Sequence, residues 1–270
     1  MEIRVLLVGD VVGKPGRTIL RERLPGYIEE EKIDFVIVNG ENAAQGTGIT
    51  GNLFKEIVGA GADVVTTGDH TWRRREVLAL LEKDVRALRP HNYPQQAVGR
   101  GARVFEARRG FRVGVLTMLG RVFMDPVDCP FRTADQAVRE LKAETPIIFV
   151  EIHAEATSEK QAIGWHLDGR VSCVFGTHTH VPTADARVLP GGTAYITDLG
   201  MTGPYDSILG RDKRNVLFKM TTSMHSPFYV ASGDVRLCGA RVDVDPRTGR
   251  ALRIERVELT REGAIEDDGR

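Results

Sequence analysis

The chain has 270 residues, of which 41% are hydrophobic and 27% are charged, as expected for a globular protein with a substantial core. Its 37 basic and 37 acidic residues cancel, so no net field draws the whole molecule to nucleic acid or to an anionic membrane surface. Three scattered cysteines argue against a disulfide framework and favour a reducing compartment. With no secretory signal and no apolar run near the roughly 20 residues that span a bilayer, we expect a cytoplasmic protein without a membrane segment.

The first half of the chain alternates apolar runs with helix-like stretches. Buried strands are predicted at three runs, each followed by a polar loop that contains glycine: Ile3–Val8, Phe35–Val38 and Ala62–Thr66. Helical spacing over 18–32 is interrupted by Pro25 and Gly26, which predict a kink or two pieces, and residues 78–81 lie on another predicted helix. This alternation predicts parallel strands with right-handed crossovers. The polar loops then collect at the carboxyl ends of the strands, where open α/β sheets bind ligands.

From Arg103 onward, strands dominate. A hairpin is predicted from 103–107 and 112–118, and a helix from 158–163. Further strands are predicted at these runs: Ile147–Ile152, Val171–Phe175, Ala194–Thr197, Val235–Val244 and Leu252–Leu259. Residues 119–132 and 202–232 have the irregular texture of long functional loops, and we expect the polar tail 262–270 to be frayed. No linker or repeat divides the chain, so we expect one domain, residues 1–270, with two β-layers covered by helices.

Histidines follow two of the predicted strands. In Gly176-Thr-His178-Thr-His180 the imidazoles are two positions apart, so in extended chain they project to one side and can chelate one metal ion or reach two. The alternative is a pair of solvated loop histidines, which the flanking glycine and Val-Pro disfavour because they predict a fixed turn. His153 ends another strand, and Glu151 and Glu155 are candidates for orienting its ring. A purely structural histidine is the alternative there.

Acidic residues follow the first three strands: Asp10, Glu41 and Asp69. Taken singly, Asp10 or Asp69 could instead be a helix N-cap, and that alternative stays open. Carboxylates gathered at one rim repel each other unless cations neutralise them. Together with the histidines they predict oxygen and nitrogen ligands for Mn, Fe, Zn or a similar ion that keeps open positions for substrate. Two such ions sharing a carboxylate would activate water and clamp a phosphoryl group.

The order of these motifs resembles the calcineurin-like metallophosphoesterases. Five longer segments are similar to the YmdB branch of bacterial phosphodiesterases: GDVVGKPGR, NGENAAQGTGIT, RPHNYP, HAEATSEKQA and GTHTHVPTAD. The resemblance runs from Val8 to about Gly210. It implies a four-layer α/β/β/α sandwich, in which helices flank two mixed sheets, and a centre of two metal ions. The metal is commonly iron in this branch, with manganese or zinc as alternatives.

The resemblance also implies residue roles. Carried over position by position, it places the metal ligands as follows: Asp10, Glu41, Asn42 and His180 on the first ion, Glu41 as a bridge, and Asp69, His153 and His178 on the second. His70 would be the general acid beside the leaving oxygen. His91 and Tyr93 are weaker candidates for substrate binding, with Tyr93 able to stack on a base.

Two positions depart from the wider superfamily. Val12 stands where that superfamily has a histidine ligand, and Asn42 would compensate. Asp69 stands where it has asparagine, so Asp69 adds a third negative charge to those of Asp10 and Glu41. We predict that Asp69 either weakens the Lewis acidity of the metals toward an anionic phosphodiester or stabilises a ferric member of the pair. A protonated Asp69, or one outside direct ligation, is the alternative.

The expected function is therefore that of a dinuclear-metal phosphodiesterase. It would hydrolyse phosphodiesters such as 2′,3′-cyclic nucleotides by attack of metal-bound hydroxide, with His70 as the acid. The partner would be a small phosphodiester or nucleotide, and the resemblance adds a link to RNA-related regulation. Two alternatives stay open: a regulatory protein that binds metal and cyclic nucleotide with little turnover, and a dinuclear amidohydrolase, which usually places its His-x-His near the first strand. A homo-oligomer is also open.

Overall fold

The computed structural model describes residues 2–261, so the predicted fraying of 262–270 lies outside the described residues. Strands account for much of the described chain, and they are numbered in chain order: β1 (Ile3–Val8), β2 (Asp10–Val11), β3 (Phe35–Asn39), β4 (Val64–Thr66), β5 (Ala87–Leu88), β6 (Ala102–Glu106), β7 (Arg112–Leu119), β8 (Ile148–His153), β9 (Cys173–Thr177), β10 (Arg187–Val188), β11 (Ala194–Ile196), β12 (Met201–Pro204), β13 (Val235–Val244) and β14 (Ala251–Leu259). The helices are α1 (Gly13–Glu30), α2 (Gly51–Gly59), α3 (Val77–Lys83), α4 (Pro130–Lys142), α5 (Thr157–His166) and α6 (Lys213–Thr222).

The first sheet has eight strands in the order β2-β12-β13-β1-β3-β4-β5, with β14 paired to β13. Strands β1, β3, β4 and β5 run parallel, whereas β13 is antiparallel to β1. The parallel run follows from the βα alternation of the first ninety residues. It brings the carboxyl ends of neighbouring strands, and the polar loops that follow them, to one edge.

The second sheet has six strands in the order β10-β11-β9-β8-β7-β6. Strands β7, β8, β9 and β11 are parallel, and antiparallel strands close both edges. The predicted hairpin at 103–118 is confirmed as the β6–β7 pair. The two sheets are thus both mixed, as the sequence resemblance implies.

Side-chain alternation along the strands builds three apolar layers. On β1, Leu6 and Val8 face a core that includes residues of α1, α2 and α3, whereas Val5 and Leu7 face a core shared with the second sheet. The outer face of the second sheet packs on α4 and α5, as shown by the core that contains Met118. Helix, sheet, sheet and helix therefore lie in four layers, and the predicted fold class is confirmed.

Two expectations about local structure are wrong. Of the two outcomes predicted at Pro25, division into two pieces is wrong, because helix α1 continues through Pro25 and its buried residues Ile19, Leu20 and Leu24 pack into the first core. A kink at Pro25 stays a prediction. The stretch 202–232 is no continuous loop, since it contains most of β12 and all of α6. Within residues 2–261, no helix combines the length and apolar character that crossing a membrane requires.

Candidate metal centre

Ligand-type side chains from both sheets converge where the parallel strands end. Glu41 follows β3 and Asp69 follows β4 in the first sheet, whereas His153 ends β8 and His178 follows β9 in the second. Each of the four offers one ligand atom, and these atoms all lie within 4.8 Å of one another. The four residues include the three expected on the second metal and the expected bridge.

His153 lies at the middle of this group. Its Nε2 atom is 3.0 Å from Asp69 Oδ1, 3.2 Å from Glu41 Oε1 and 3.0 Å from His178 Nδ1. Imidazole and carboxylate atoms that crowd one point in this way form a donor set that suits Zn, Mn or Fe.

Asp10, Asn42 and His180, the remaining expected ligands, lie beside the same group. Asp10 Oδ1 is 3.9 Å from His180 Nε2 and 3.9 Å from His153 Nδ1. Within the described part of the chain, Asp10 Oδ1 and Asn42 Oδ1 are buried and have no hydrogen-bond partner. Two orphaned buried oxygens are unfavourable by themselves, and a cation would satisfy both. The residues present therefore fit a bound metal cation.

The rings are oriented by hydrogen bonds on the side away from the group. His153 Nδ1 lies 2.9 Å from Thr177 Oγ1, which in turn donates to Glu151 Oε1 at 2.8 Å. Asn39 Nδ2 donates to the same Glu151 oxygen at 2.7 Å. Because the Thr177 hydrogen is committed to Glu151, we assign the His153 hydrogen to Nδ1, which leaves the Nε2 lone pair for a metal.

Two further contacts orient the histidine pair. His178 Nε2 lies 3.2 Å from Glu155 Oε2, so Glu155 orients His178 and not His153 as the sequence suggested. His180 Nδ1 lies 3.2 Å from the carbonyl oxygen of Leu209. Each contact occupies one ring nitrogen and turns the other toward the acidic residues.

The segment that carries both histidines has an unusual backbone. His178 and His180 have φ angles of 92° and 63°, in the left-handed backbone region that residues other than glycine rarely adopt. Between them, the Thr179 hydroxyl and backbone N–H both donate to Asp198 Oδ2, at 2.7 and 3.2 Å. Lys160 Nζ, itself buried, lies 2.7 Å from the same oxygen. This buried ion pair fixes the segment in its strained conformation.

His70 stands at the edge of the group. Its Nδ1 is 3.3 Å from Glu41 Oε1, its Nε2 is 3.8 Å from Asp69 Oδ2, and its backbone N–H donates to Glu41 Oε2 at 3.1 Å. Its side chain is 23% exposed, whereas that of His153 is fully buried. His70 therefore reaches solvent beside the group.

The buried carboxylates of this group favour a positive charge beside them. Burial raises the pKa of Asp10 to about 7 despite the charge of His153. Burial alone would lower the pKa of His153, but the neighbouring carboxylates, led by Glu41, raise it well above the ordinary value. Burial lowers the pKa of His180 to about 4, so its ring is neutral at pH 7. A protonated His153 thus balances the carboxylates, and a metal ion would take over that charge.

Three arginine side chains donate hydrogen bonds to the loop that follows Asn42, a feature that was not predicted from the sequence. The backbone carbonyls of this loop each accept from a guanidinium: Ala43 from Arg17, Ala44 and Thr47 from Arg74, and Gln45 and Gly46 from Arg211. Gly46 and Gly48 have positive φ angles, and a Cβ on either would meet Arg211 or Arg74. Only the glycines could have signalled this close packing, since the arginines come from distant parts of the chain.

The weaker candidates, His91 and Tyr93, line a different cleft, together with residues such as Arg100, Arg103 and Asp128. The Tyr93 ring packs against Trp72, with 5.4 Å between ring centroids, and its hydroxyl contacts the indole N–H. We call the four converging side chains Glu41, Asp69, His153 and His178 the metal group. Neither His91 nor Tyr93 lines the cleft above this group. That cleft is lined by the following residues: Glu41, Asn42, His70, Glu155, His178, Thr179, His180, Leu209 and Arg211. Tyr93 has a neighbour on its ring, so it is not an open stacking platform.

Comparison with known proteins places this arrangement in a family. A 2′,3′-cyclic-nucleotide 2′-phosphodiesterase of Bacillus subtilis (strain 168) is 46% identical over 255 residues, covering 94% of this chain and 96% of the relative. The crystal structure of a hypothetical protein from Thermus thermophilus superposes with a TM-score of 0.89 at 42% identity, covering 95% of this chain and 99% of that one. That of a novel phosphatase from Mycoplasma pneumoniae gives 0.90 at 32% identity, covering 99% and 95%. The model of the YmdB-like proteins matches residues 6–257, and the chain belongs to that family.

Proposed function

We propose that this chain is a metal-dependent phosphodiesterase that hydrolyses small phosphodiesters such as 2′,3′-cyclic nucleotides at a centre of two metal ions. The observation that carries the proposal is the joining of two features at one rim: four convergent ligand atoms, and the orphaned oxygens of Asp10 and Asn42 beside them. The cyclic-nucleotide activity of the Bacillus subtilis relative supports the choice of substrate.

The residues that would hold the ions divide into two groups. Asp69, His153 and His178 would hold one ion, Asp10, Asn42 and His180 would hold the other, and Glu41 would reach both. When bound, such ions neutralise charge on phosphate oxygens and make water a better nucleophile. The buried carboxylates and the neutral ring of His180 are suited to keep them in place.

His70 is the residue placed to move a proton. Burial alone would lower its pKa, but the hydrogen bond and charge of Glu41 raise it above its ordinary value, which favours the protonated ring. It borders the open cleft, where a departing oxygen would be exposed. We assign it the role of general acid toward the leaving alkoxide, a contribution typically worth about 10²–10⁴ in rate.

A 2′,3′-cyclic phosphate is also the chemical end left when RNA is cleaved by its own 2′-hydroxyl. A phosphodiesterase that opens this ring therefore acts on products of RNA breakdown. This chemistry is the basis on which we link the chain to RNA-related regulation.

The test is metal analysis of the purified chain beside a hydrolysis assay on bis-p-nitrophenyl phosphate and 2′,3′-cyclic AMP. We expect two ions per chain, hydrolysis of both substrates, and loss of both properties in His153→Ala. His225→Ala, a histidine that lines no part of the cleft, is the matched control. Metal without hydrolysis would favour a regulatory protein, and a metal-free chain with full activity would remove the basis of the proposal.

A further inference from the structure

The cleft over the metal group contains a cation that the mechanism above does not use. This cleft has a volume of about 270 Å³, and Arg211 lines it together with the candidate ligands Glu41, Asn42, His178 and His180. Leu209, two residues before Arg211, lines the same cleft. The 209–211 segment thus forms a wall of the substrate space, contributed by a part of the chain far from the strand-end motifs.

The guanidinium of Arg211 is held entirely by backbone carbonyls. Nη1 donates to the oxygens of Gln45 and Phe228 at 3.0 and 3.3 Å, and Nη2 donates to Gly46 at 2.6 Å. Among residues 2–261, no carboxylate pairs with it. A guanidinium has five N–H groups, so part of its donor capacity is still open. A half-buried guanidinium that has no carboxylate partner and still has N–H groups to donate is suited to bind an anion.

Arg211 is also close to the metal group. The Gly46 oxygen that accepts from Arg211 Nη2 accepts from Asn42 Nδ2 as well, at 3.1 Å. One carbonyl oxygen therefore separates the guanidinium from a proposed metal ligand. Glu155, the acidic residue on the cleft wall outside the metal group, is already engaged with His178. Among the described residues that line this cleft, Arg211 is the only lysine or arginine, so it is the basic side chain available to a phosphate bound there.

We propose that Arg211 binds a phosphate oxygen of the substrate and selects for anionic phosphoesters in this cleft. The proposal rests on the proposed function and names the residue that recognises the substrate's charge. Guanidinium groups favour phosphate because their planar donors match its oxygens and stay charged at all working pH values.

The competing reading is that Arg211 serves only to hold the 43–47 loop, and Arg74 offers a matched control for it. Arg74 holds the same loop, through the oxygens of Ala44 and Thr47 at 3.1 and 3.2 Å, but it does not line the cleft. Arg74→Gln thus removes a loop contact of the same kind without removing the proposed anion contact. Arg211→Lys keeps the charge but cannot reproduce the forked contact with two carbonyls.

The experiment compares the metal-loaded wild type with Arg211→Gln, Arg211→Lys and Arg74→Gln. For each protein one measures KM for bis-p-nitrophenyl phosphate, Kd for inorganic phosphate by calorimetry, metal content and Tm. Loss of a charge-assisted hydrogen bond predicts a rise of about ten- to a hundredfold in KM and Kd for Arg211→Gln, and a smaller rise for Arg211→Lys. Arg74→Gln should lower Tm while its phosphate Kd stays within about twofold of wild type.

Three results would overturn the proposal: an Arg211→Gln phosphate Kd within twofold of wild type, an equal rise in Arg74→Gln, or a wild type that binds no phosphate. The calorimetric comparison needs no turnover. If the wild type holds metal but hydrolyses no diester, the proposed function fails, and the phosphate Kd values still decide the role of Arg211.

Discussion

At the scale of single residues, hydrogen bonds decide which nitrogen of each histidine faces the metal group. One ring nitrogen of each histidine is occupied by a different partner: that of His153 by Thr177, that of His178 by Glu155, and that of His180 by the carbonyl of Leu209. The nitrogens left over are those directed at the carboxylates. Such partners typically change metal affinity by ten- to a hundredfold when removed, so they are part of the proposed site as much as the proposed ligands are.

His70→Ala tests the assignment of the acid. Because His70 stands at the edge of the group and is partly exposed, we expect its removal to leave metal content near that of wild type. Turnover of bis-p-nitrophenyl phosphate should fall by about 10²–10⁴. Loss of metal in this variant would instead make His70 a ligand.

Asp69→Asn tests the third negative charge. Asp69 Oδ1 lies 3.0 Å from His153 Nε2 and 3.3 Å from His178 Nδ1, and asparagine can keep an oxygen in that position without the charge. We expect either faster turnover of an anionic diester or a higher reduction potential for a bound iron pair. The measurements are steady-state kinetics, metal content and redox titration. If all three are unchanged, the charge of Asp69 has neither effect.

Sequence reasoning predicted the convergence of residues whose position follows from their place after a strand, and their role as ligands stays a prediction. Each of five candidate residues ends an apolar run or follows one within three residues, and parallel pairing gathers such positions without further information: Asp10, Glu41, Asp69, His153 and His178. Arg211 carries no such signal, because its partners Gln45 and Gly46 lie more than 160 residues earlier in the chain. Long-range contacts of this kind depend on the packed fold and not on local pattern.

At the scale of elements, the short segment after β9 depends on a buried ion pair. Lys160, on α5, and Asp198, beyond β11, are 1% and 0% exposed, and together they hold Thr179 between the two histidines. The left-handed backbone of His178 and His180 is therefore maintained from two other elements.

Lys160→Met should lower the free energy of unfolding by about 3–5 kcal/mol, because it leaves Asp198 buried without its cation. The measurement is urea unfolding of the metal-free protein. The double variant Lys160→Met/Asp198→Asn should recover part of the loss, since it removes the unpaired charge. Arg214→Met, which breaks the exposed pair with Asp212, is the control and should change stability little. An equally small effect for Lys160→Met would show that the pair does not support the fold.

The same scale shows where element prediction failed. Helix α6 carries Leu217, Phe218 and Met220, which are all largely exposed, so its sequence lacks the one-sided apolar pattern that identifies a packed helix. By contrast, β13 was predicted with the observed bounds, because it is long and its apolar positions are buried against neighbouring strands on both sides. An element can be predicted from the spacing of its apolar residues only where those residues are buried in the fold.

At the scale of the whole molecule, the proposed metal ligands come from both sheets, so metal ions would join the two halves of the sandwich. A metal that binds only the native state raises stability by mass action, by about 4.1 kcal/mol at a free concentration of 1,000 times Kd. We expect Tm to fall on chelation and to rise again with added Mn or Fe, as measured by calorimetry. His153→Ala should show no such response, and a wild-type Tm that ignores chelator would contradict a native-state metal site.

The fold, the family and the class of enzyme were all predicted from the sequence, and the two mixed sheets, the family match and the named relatives agree with them. These predictions succeeded because they rest on long motifs in a fixed order. His91 and Tyr93 line a cleft other than the one above the candidate ligands, and their part in substrate binding stays a prediction.

The first sheet is assembled from the two ends of the chain. Its central strand β1, at residues 3–8, pairs on one side with β13, at residues 239–244, and on the other with β3. During synthesis, β1 can pair with β13 only after more than 230 further residues have left the ribosome, so one edge of β1 stays unpaired until then. Such distant pairing slows folding and exposes a strand edge to other nascent chains. Asp10, which follows β1, lies in β2, and β2 pairs with β12 at Met201, so the placing of this carboxylate also depends on residues from late in the chain.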